Sequence, residues 1–148
     1  MTPQELEQLL RREIPLSRAM EFQVQKLTTT VCEVLCPLAP NVNHKGTAFG
    51  GSIYAACALT SYGLFLKGLR DENILTNQVV IGEGHIQYTQ PVTGDFRVES
   101  RWPTEAARDK FFRTLKSKGK ARSPLKAQVF SGDILAAEFE GQFVAHLE

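Results

Sequence analysis

The feature that most constrains the fold is an apolar segment, residues 53–66, that contains no charged side chain. It is shorter than the roughly 20 apolar residues that a membrane-spanning helix needs, and Thr60, Ser61 and Gly63 interrupt it. A helix that is apolar on nearly every side is stable when it is buried on nearly every side. We therefore predict a buried core helix over about residues 50–70, with the rest of the chain wrapped around it.

The flanking segments have the patterns of strands and of two further helices. Alternation of apolar and polar residues predicts four strands after the core helix, at residues 79–88, 96–102, 121–130 and 134–145. A Thr- and Val-rich stretch, residues 27–35, predicts one strand before it. At the N-terminus, Thr2-Pro3-Gln4-Glu5 has the capping-box pattern of a helix start, and this helix should end before Pro15. A short helical insertion is predicted between Pro103 and Gly119.

This order of elements predicts the fold class. A long buried helix followed by strands that are joined mainly by hairpins is typical of an α+β domain with a mostly antiparallel sheet. A curved sheet of about five strands, wrapped around the core helix, would bury that helix, and pairing with a second copy of the chain would cover the open edges of the sheet. The 148 residues contain no repeat or linker, so we predict one domain over residues 1–148.

Charge and cysteine content narrow the function classes. The formal net charge is +1, so the molecule as a whole is not steered towards nucleic acid or a membrane surface. The first residues lack the basic and apolar regions of a signal peptide, and an odd number of cysteines points to reduced thiols. We therefore expect a cytoplasmic protein whose Cys32, Cys36 and Cys57 are buried structural residues that bind no metal.

A polar motif, residues 41–52, leads directly into the core helix. It reads Asn-Val-Asn-His-Lys-Gly-Thr-Ala-Phe-Gly-Gly-Ser. The first N–H groups of a helix have no partner within the helix and form the positive end of its dipole, so such a start can bind a developing negative charge. Asn43 and His44 are the candidate catalytic residues, because an amide or an imidazole can donate a hydrogen bond to that charge. The alternative role for His44 is to orient the loop. Asn41 is assigned to capping a turn, which is also the alternative role for Asn43.

The string Asn43-His44-x-Gly46-x-x-Phe49-Gly50-Gly51-Ser52, at the entry to a central helix, resembles the hotdog fold of acyl-thioester enzymes over nearly the whole chain. Within that fold the chain is most similar to thioesterase-like domains of the YiiD C-terminal type. In some bacteria these domains follow an acetyltransferase domain, and the group includes malonyl–acyl-carrier-protein decarboxylases. The resemblance implies a homodimer or dimer of dimers with active sites at subunit interfaces. It also implies a thioester substrate whose phosphopantetheine belongs to acyl carrier protein or coenzyme A, so no separate cofactor is expected.

One departure from the pattern of the fold bears on the reaction. Many hotdog thioesterases carry an Asp or Glu on the central helix, about two turns past the second glycine, to activate water or act as a nucleophile. Here residues 55–61 contain no carboxylate. Decarboxylation of a malonyl thioester needs no base or nucleophile to remove CO₂, only hydrogen-bond donors for the enolate oxygen. The resemblance and this absence together favour decarboxylation of malonyl-acyl carrier protein to acetyl-acyl carrier protein, in fatty-acid initiation, over hydrolysis.

The residues that we assign to this chemistry surround the helix start. The enolate oxygen would be bound by the amide of Asn43 and by backbone N–H groups of the helix. Four residues are assigned to substrate binding: Phe49, Gly50, Gly51 and Ser52. Ser52 is also predicted to be the N-cap of the helix. Thr60 and Ser61 either meet the substrate or hydrogen-bond back to the helix, and we prefer the second interpretation.

Two questions stay open at this point. Glu83 and His85 are two residues apart on a predicted strand and share a face. They are either an acid–base pair for hydrolysis or an exposed or interface pair. The alternative functions are an acyl-CoA or acyl-carrier thioesterase, a non-catalytic acyl-binding module and, least favoured, a hotdog dehydratase.

A basic run lies in the helical insertion and in the strand that follows it. It consists of Lys110, Arg113, Lys116, Lys118, Lys120 and Arg122. Such a patch can dock an acidic carrier protein or the phosphates of coenzyme A, and the alternative is a solvated face. Nucleic acid is not an expected partner, because this charge is local and is balanced elsewhere in the chain.

Overall fold

A computed structural model describes residues 1–148 as a six-stranded antiparallel sheet packed around one long helix. The helices are α1 (Pro3–Glu13), α2 (Pro15–Ala19), α3 (Gly50–Asp71) and α4 (Glu105–Lys118). The strands are β1 (Gln23–Leu27), β2 (Val31–Cys36), β3 (Gln78–Tyr88), β4 (Phe96–Arg101), β5 (Lys120–Ser131) and β6 (Ile134–His146). The strand order is β1-β2-β4-β5-β6-β3. Helix α3 packs against every strand from β2 to β6, which confirms the predicted curved sheet around a core helix.

The sheet has a sixth strand because a turn divides a stretch that was predicted as a single strand. The stretch predicted as one strand, residues 27–35, contains the end of β1, a turn and most of β2. The Thr28 hydroxyl accepts a hydrogen bond from the backbone N–H of Val31 at 3.0 Å, and the Thr28 N–H donates to the Val31 carbonyl at 2.8 Å. Threonine favours strands by its shape but also closes turns through its hydroxyl, and here the second property decides.

The N-terminal helix forms as its capping box predicts. The Thr2 hydroxyl accepts from the Glu5 N–H at 3.1 Å, and the Glu5 carboxylate accepts from the Thr2 N–H at 2.9 Å. Leu6 and Leu10 of this helix are fully buried. The helix ends at Glu13, before Pro15, as expected, but Pro15 then occupies the first position of α2, where its missing N–H costs nothing.

The three cysteines are buried in the core, as predicted. Burial raises the pKa of Cys32 and Cys36 to about 12 and also raises the pKa of Cys57. Protonated thiols are weak nucleophiles and weak metal ligands, so these side chains act as small apolar groups near neutral pH. No helix of the chain combines the length and the hydropathy that crossing a membrane requires.

Helix α4 closes the end of the core near the C-terminus of α3. Its Phe112 ring lies directly over Gly68, where any added Cβ would overlap the ring. Arg108 is 7% exposed, donates to Glu72 at 3.1 Å and stacks on the same ring at 4.9 Å from the ring centre. The helix ends at Gly119, whose φ of 73° is left-handed, and this is the predicted end of the insertion.

The two edges of the sheet differ in how they are covered. On the outer side of β1, the Val24 N–H donates to the carboxylate of Glu7 in α1 at 2.9 Å. Strand β3 pairs only with β6, and most of its 11 residues are exposed. Val80 is 59% exposed and Ile81 is 37% exposed. A long exposed edge that carries apolar side chains can pair with another strand.

Candidate functional site

The polar motif, residues 41–52, folds as a tight turn followed by the first turn of α3. The Asn43 N–H donates to the Thr47 carbonyl at 2.7 Å, and the Gly46 N–H donates to the Asn43 carbonyl at 3.2 Å. Gly46 has a φ of 80°, a left-handed conformation that glycine adopts without strain. Asn41 is buried, and its amide donates to the carbonyls of Met20 and Pro37, so it fixes the motif to the body of the protein.

The Asn43 side chain closes the turn from inside. Its Oδ1 accepts from the N–H groups of Lys45 at 2.9 Å and Thr47 at 3.1 Å. Its Nδ2 donates to the Thr47 hydroxyl at 2.9 Å and to the Ala48 carbonyl at 3.5 Å. The last distance is long for an N–H···O hydrogen bond, so one amide hydrogen is held weakly. His44, beside it, is exposed and makes no hydrogen bond.

Helix α3 begins without a side-chain cap. The N-cap residue is Phe49, not Ser52, which lies in the first turn of the helix. The prediction of Ser52 as the N-cap is therefore wrong, because the helix starts at Gly50 and Phe49 has no acceptor to offer. The N–H groups of Gly50, Gly51 and Ser52 have no hydrogen-bond acceptor in the protein. These donors, together with the helix dipole, make an electropositive site at the start of α3.

Phe49 and Gly51 fit together at the mouth of this site. The Phe49 ring lies over Gly51, where an added Cβ would overlap it. The ring is 57% exposed, which is unusual for an aromatic side chain. Gly51 therefore leaves room for the ring at the start of the helix.

Strand β3 and helix α3 contact each other near the helix start through two tyrosines, Tyr88 of β3 and Tyr54 of α3, to which the sequence assigned no catalytic role. The Tyr88 hydroxyl donates to the Gly50 carbonyl at 2.7 Å, and burial raises the pKa of Tyr88. The Tyr54 hydroxyl lies over Gly84, and a Cβ at Gly84 would overlap it. Gly84, a glycine within the predicted strand, was the available signal, since such a glycine can mark the close approach of another group.

A cavity of about 340 Å³ lies between the motif and the end of β3. Its lining residues are Thr47, Ala48, Gly50, Ile53, Tyr88, Thr89, Gln90, Pro91 and Val92. The cavity therefore adjoins the helix start on one side and the Tyr88 ring on the other. None of its lining residues is charged.

The hydroxyls further along α3 are used within the protein. Thr60 is buried and donates back to the Ala56 carbonyl at 2.6 Å, which is the interaction that we preferred for it. Ser61 is also buried, but it bonds to the Ser100 hydroxyl of β4 at 3.0 Å instead of to its own helix. Asp71, the last residue of α3, is the only carboxylate on that helix. No group of three His, Cys, Asp or Glu side chains lies close enough together to hold a metal ion.

Glu83 and His85 share a face of β3, but that face points away from α3. Gly84 between them faces the Tyr54 hydroxyl, and side chains alternate along a strand, so their side chains project outward. His85 lies opposite Glu140 of β6, which is exposed. A register shift between Ile81 and Glu83 sets this orientation. The structure therefore does not place this pair beside the helix start of its own chain.

The basic run divides between the two sides of α4. Four of its members line one cleft between α4 and β5: Lys110, Lys118, Lys120 and Arg122. Arg113 and Lys116 lie on the other side of the helix, beside Glu72 and Asp109. Lys116 donates to Glu72 at 2.7 Å and lowers its pKa, with a smaller contribution from Arg108. We refer to the four-residue side as the basic cleft.

The antiparallel sheet around a central helix, entered through a Gly-Gly helix start, defines a protein of the hotdog fold. The model of the family described as "Putative thioesterase (yiiD_Cterm)" matches residues 3–147. The chain therefore belongs to that family, and the resemblance noted from the motif is confirmed.

Solved structures agree with this assignment. A putative thioesterase from Shewanella oneidensis is 33% identical, with a TM-score of 0.87 over 97% of this chain and 96% of that one. A protein of unknown function from Chlorobaculum tepidum TLS is 30% identical, with a TM-score of 0.92 over 99% of this chain and 98% of that one. A third, from Pseudomonas aeruginosa, is 21% identical with a TM-score of 0.80 over 99% of this chain and 97% of that one, and it supports the fold alone.

Proposed function

We propose that this protein decarboxylates a malonyl thioester to an acetyl thioester, with malonyl-acyl carrier protein as its substrate in cytoplasmic fatty-acid initiation. The observation that carries the proposal is the composition of the helix start. Three unpaired N–H groups begin α3, the Asn43 amide hydrogen is weakly held at the carbonyl of Ala48, two residues before that start, and α3 carries no carboxylate before Asp71. This is a set of donors without a carboxylate base, which suits an enolate better than an attacking water.

The reaction needs a negative charge to be stabilised at one oxygen. The bond between the α-carbon and the carboxylate carbon breaks, and the carboxylate leaves as CO₂. The electron pair of the broken bond moves onto the thioester carbonyl oxygen, and an enolate forms. A proton from water then adds to the α-carbon, which gives the acetyl thioester. Donors fixed in place before the reaction are the largest single source of stabilisation for such an oxygen.

Asn43 is the side-chain donor in this scheme. Its Oδ1 stays bonded to the turn, so the amide is held in a fixed orientation. The hydrogen that faces the Ala48 carbonyl at 3.5 Å is free to bond to the enolate oxygen instead. His44 is a second donor candidate, since it is exposed and makes no other hydrogen bond. The uncharged walls of the cavity disfavour the substrate carboxylate and favour the loss of neutral CO₂.

Hydrolysis of an acyl thioester is the second candidate, and the description of the family favours it. The same N–H groups would then bind the oxyanion of a tetrahedral intermediate. Hydrolysis also requires a base for the water, and Glu83 and His85 project away from this helix start. A base would therefore have to come from His44 or from a second subunit.

One assay separates the candidates. The protein is incubated with malonyl-acyl carrier protein, and the intact mass of the carrier is measured against a sample without enzyme. We expect the mass of acetyl-carrier, which corresponds to loss of CO₂. Free-thiol carrier would instead establish hydrolysis. Unchanged substrate would contradict both reactions, and a non-catalytic acyl-binding module would be the remaining candidate function. A parallel incubation with malonyl-CoA reports the preference between carrier protein and coenzyme A.

The resemblance implies a homodimer or dimer of dimers, and the edge strand β3 offers a surface for it. Next to this strand, α3 presents a half-buried stripe of Ala55, Ala58, Tyr62 and Leu66. Together with Val80 and Ile81, part of this stripe lines a groove of about 340 Å³ that contains only apolar residues. We therefore assign the subunit interface to β3 and this face of α3, where a second chain would cover both the strand edge and the groove.

Val80→Glu tests this interface. We expect the wild-type chain to form a dimer or tetramer, and Val80→Glu to dissociate it by placing a charge at the paired edge, as measured by light scattering after size exclusion. Ile134→Glu is the matched control, since Ile134 is 58% exposed, close to the 59% of Val80, but lies at the start of β6. A monomeric wild type, or equal effects of both substitutions, would contradict the assignment.

A further inference from the structure

The basic cleft is a concave surface built by a reversal of the chain. Helix α4 ends at Lys118, Gly119 caps it and β5 begins at Lys120, so the last turns of the helix lie beside the first residues of the strand. Between them is a cleft of about 640 Å³ that opens to solvent. Two cations reach it from the helix and two from the strand, and all four side chains are exposed. Its apolar lining residues are Ala107, Phe111 and Ala121.

None of the four cations has an acidic partner. The chain has 17 Lys and Arg against 16 Asp and Glu, and Arg108 and Lys116 of the same helix are both ion-paired with Glu72. The four cleft cations make no ion pair, and no lining residue of the cleft is acidic. Four like charges around one concavity repel one another, so a negatively charged partner would be bound there favourably.

The side chains that line the cleft favour a protein partner over a nucleotide. Phe111 is 4% exposed, so no aromatic face is available for a base to stack on. All four cations are solvent-exposed and none is fixed by a hydrogen bond, which is unlike a built phosphate site. Exposed charges around an open surface act instead by complementarity with an acidic protein surface, through the rate and orientation of association.

We infer that the basic cleft is the docking surface for the acidic carrier protein that presents the thioester. The cleft lies at the end of the core near the C-terminus of α3, so the thioester would reach the helix start of a second subunit, in keeping with active sites at subunit interfaces. The identity of this partner rests on the proposed function, although docking itself requires no decarboxylation. The structure reduces the candidate docking residues from the six of the basic run to the four of the basic cleft. Lys116 is excluded because it holds α4 to α3 through Glu72, and Arg113 is excluded because it lies on the other side of α4.

The test is a charge reversal with a matched control. Lys110→Glu/Lys120→Glu removes one cleft cation from the helix and one from the strand. Arg18→Glu/Lys26→Glu makes the same change in net charge at two exposed residues of α2 and β1 that have no ion pair. Each full-length variant is titrated with malonyl-acyl carrier protein, malonyl-CoA and malonyl-pantetheine, and thermal unfolding checks that it is folded. Lys110→Gln/Lys120→Gln replaces the reversal variant if that variant is unfolded.

We expect the cleft variant to raise the Kd for the carrier protein about tenfold or more. The Kd for malonyl-pantetheine should stay unchanged. The wild-type affinity for the carrier should fall with added salt, and this salt dependence should be smaller in the cleft variant. An equal rise in the Kd for malonyl-CoA would identify a nucleotide-phosphate site and overturn the inference. Equal effects of the cleft and control variants, or no binding of carrier by the wild type, would overturn it too. Carrier that binds but yields no acetyl product contradicts the decarboxylase proposal alone.

Discussion

Asn43→Ala and Asn43→Asp are both expected to lower kcat for the malonyl thioester by about 10²–10³-fold, the usual effect of removing one oxyanion donor. The pair separates chemistry from folding. Alanine removes the donor and also the acceptor that orders Lys45 and Thr47. Aspartate keeps that acceptor but replaces the donating amide with a negatively charged oxygen, which would repel the enolate.

Thr47→Ala is the control for the turn. It removes the hydroxyl that accepts from the Asn43 amide at 2.9 Å, but it leaves the amide in place. We expect a loss of less than about tenfold in kcat, because a neutral hydrogen bond of this kind contributes about 1 kcal/mol. Rates are measured from the mass of the carrier product, and thermal unfolding is followed by circular dichroism. An Asn43→Asp enzyme with a nearly wild-type rate would show that this amide is not a donor to the reacting oxygen.

Gly68→Ala is expected to destabilise the protein by about 2 kcal/mol, although alanine usually stabilises a helix. In an exposed helix interior the change would gain about 1 kcal/mol. Here the added Cβ would overlap the Phe112 ring, which is 1% exposed and packs against Trp102 and Phe111. Overpacking of this kind costs up to about 3 kcal/mol, which exceeds the gain. Helix α4 would shift, and the basic cleft that it forms with β5 would shift with it.

Gly63→Ala is the matched control on the same helix. An added Cβ there would lie 3.0 Å from Cδ2 of Leu6 and 3.4 Å from Sγ of Cys32, so small movements relieve the contact. We expect a change within about 1 kcal/mol, since the gain in helix propensity offsets the crowding. Urea unfolding of both variants measures the difference. If Gly68→Ala were as stable as the wild type, α4 would be free to move away from α3.

Local sequence patterns were sufficient for most of the secondary structure. The capping box of α1, the charge-free run of α3 and the alternation of β3 to β6 each depend on residues that are close in sequence. The α+β class follows from the order of these elements, because a helix that is apolar on all sides requires a sheet around it. The motif also lies at the helix start, as predicted, because it directly precedes α3 in sequence.

Packing and register decided the rest. Whether Glu83 and His85 face α3 depends on the register shift that precedes them. The alternation of side chains along the strand is the same for both orientations, so the sequence pattern does not distinguish them. Tyr88 meets Gly50 across 38 residues of sequence. Likewise, only the position of α4 separates Lys116, which is paired with Glu72, from the four cations of the basic cleft.

The sequence by itself therefore determined that this chain has a buried helix within an antiparallel sheet, and that a donor-rich motif without a nearby carboxylate begins that helix. These properties depend on neighbouring residues and on which side chains avoid water. Only the tertiary structure decided which N–H groups lack acceptors, which amide hydrogen of Asn43 is weakly held and which charges share a cleft. Each of these depends on the distance between groups that only packing brings together.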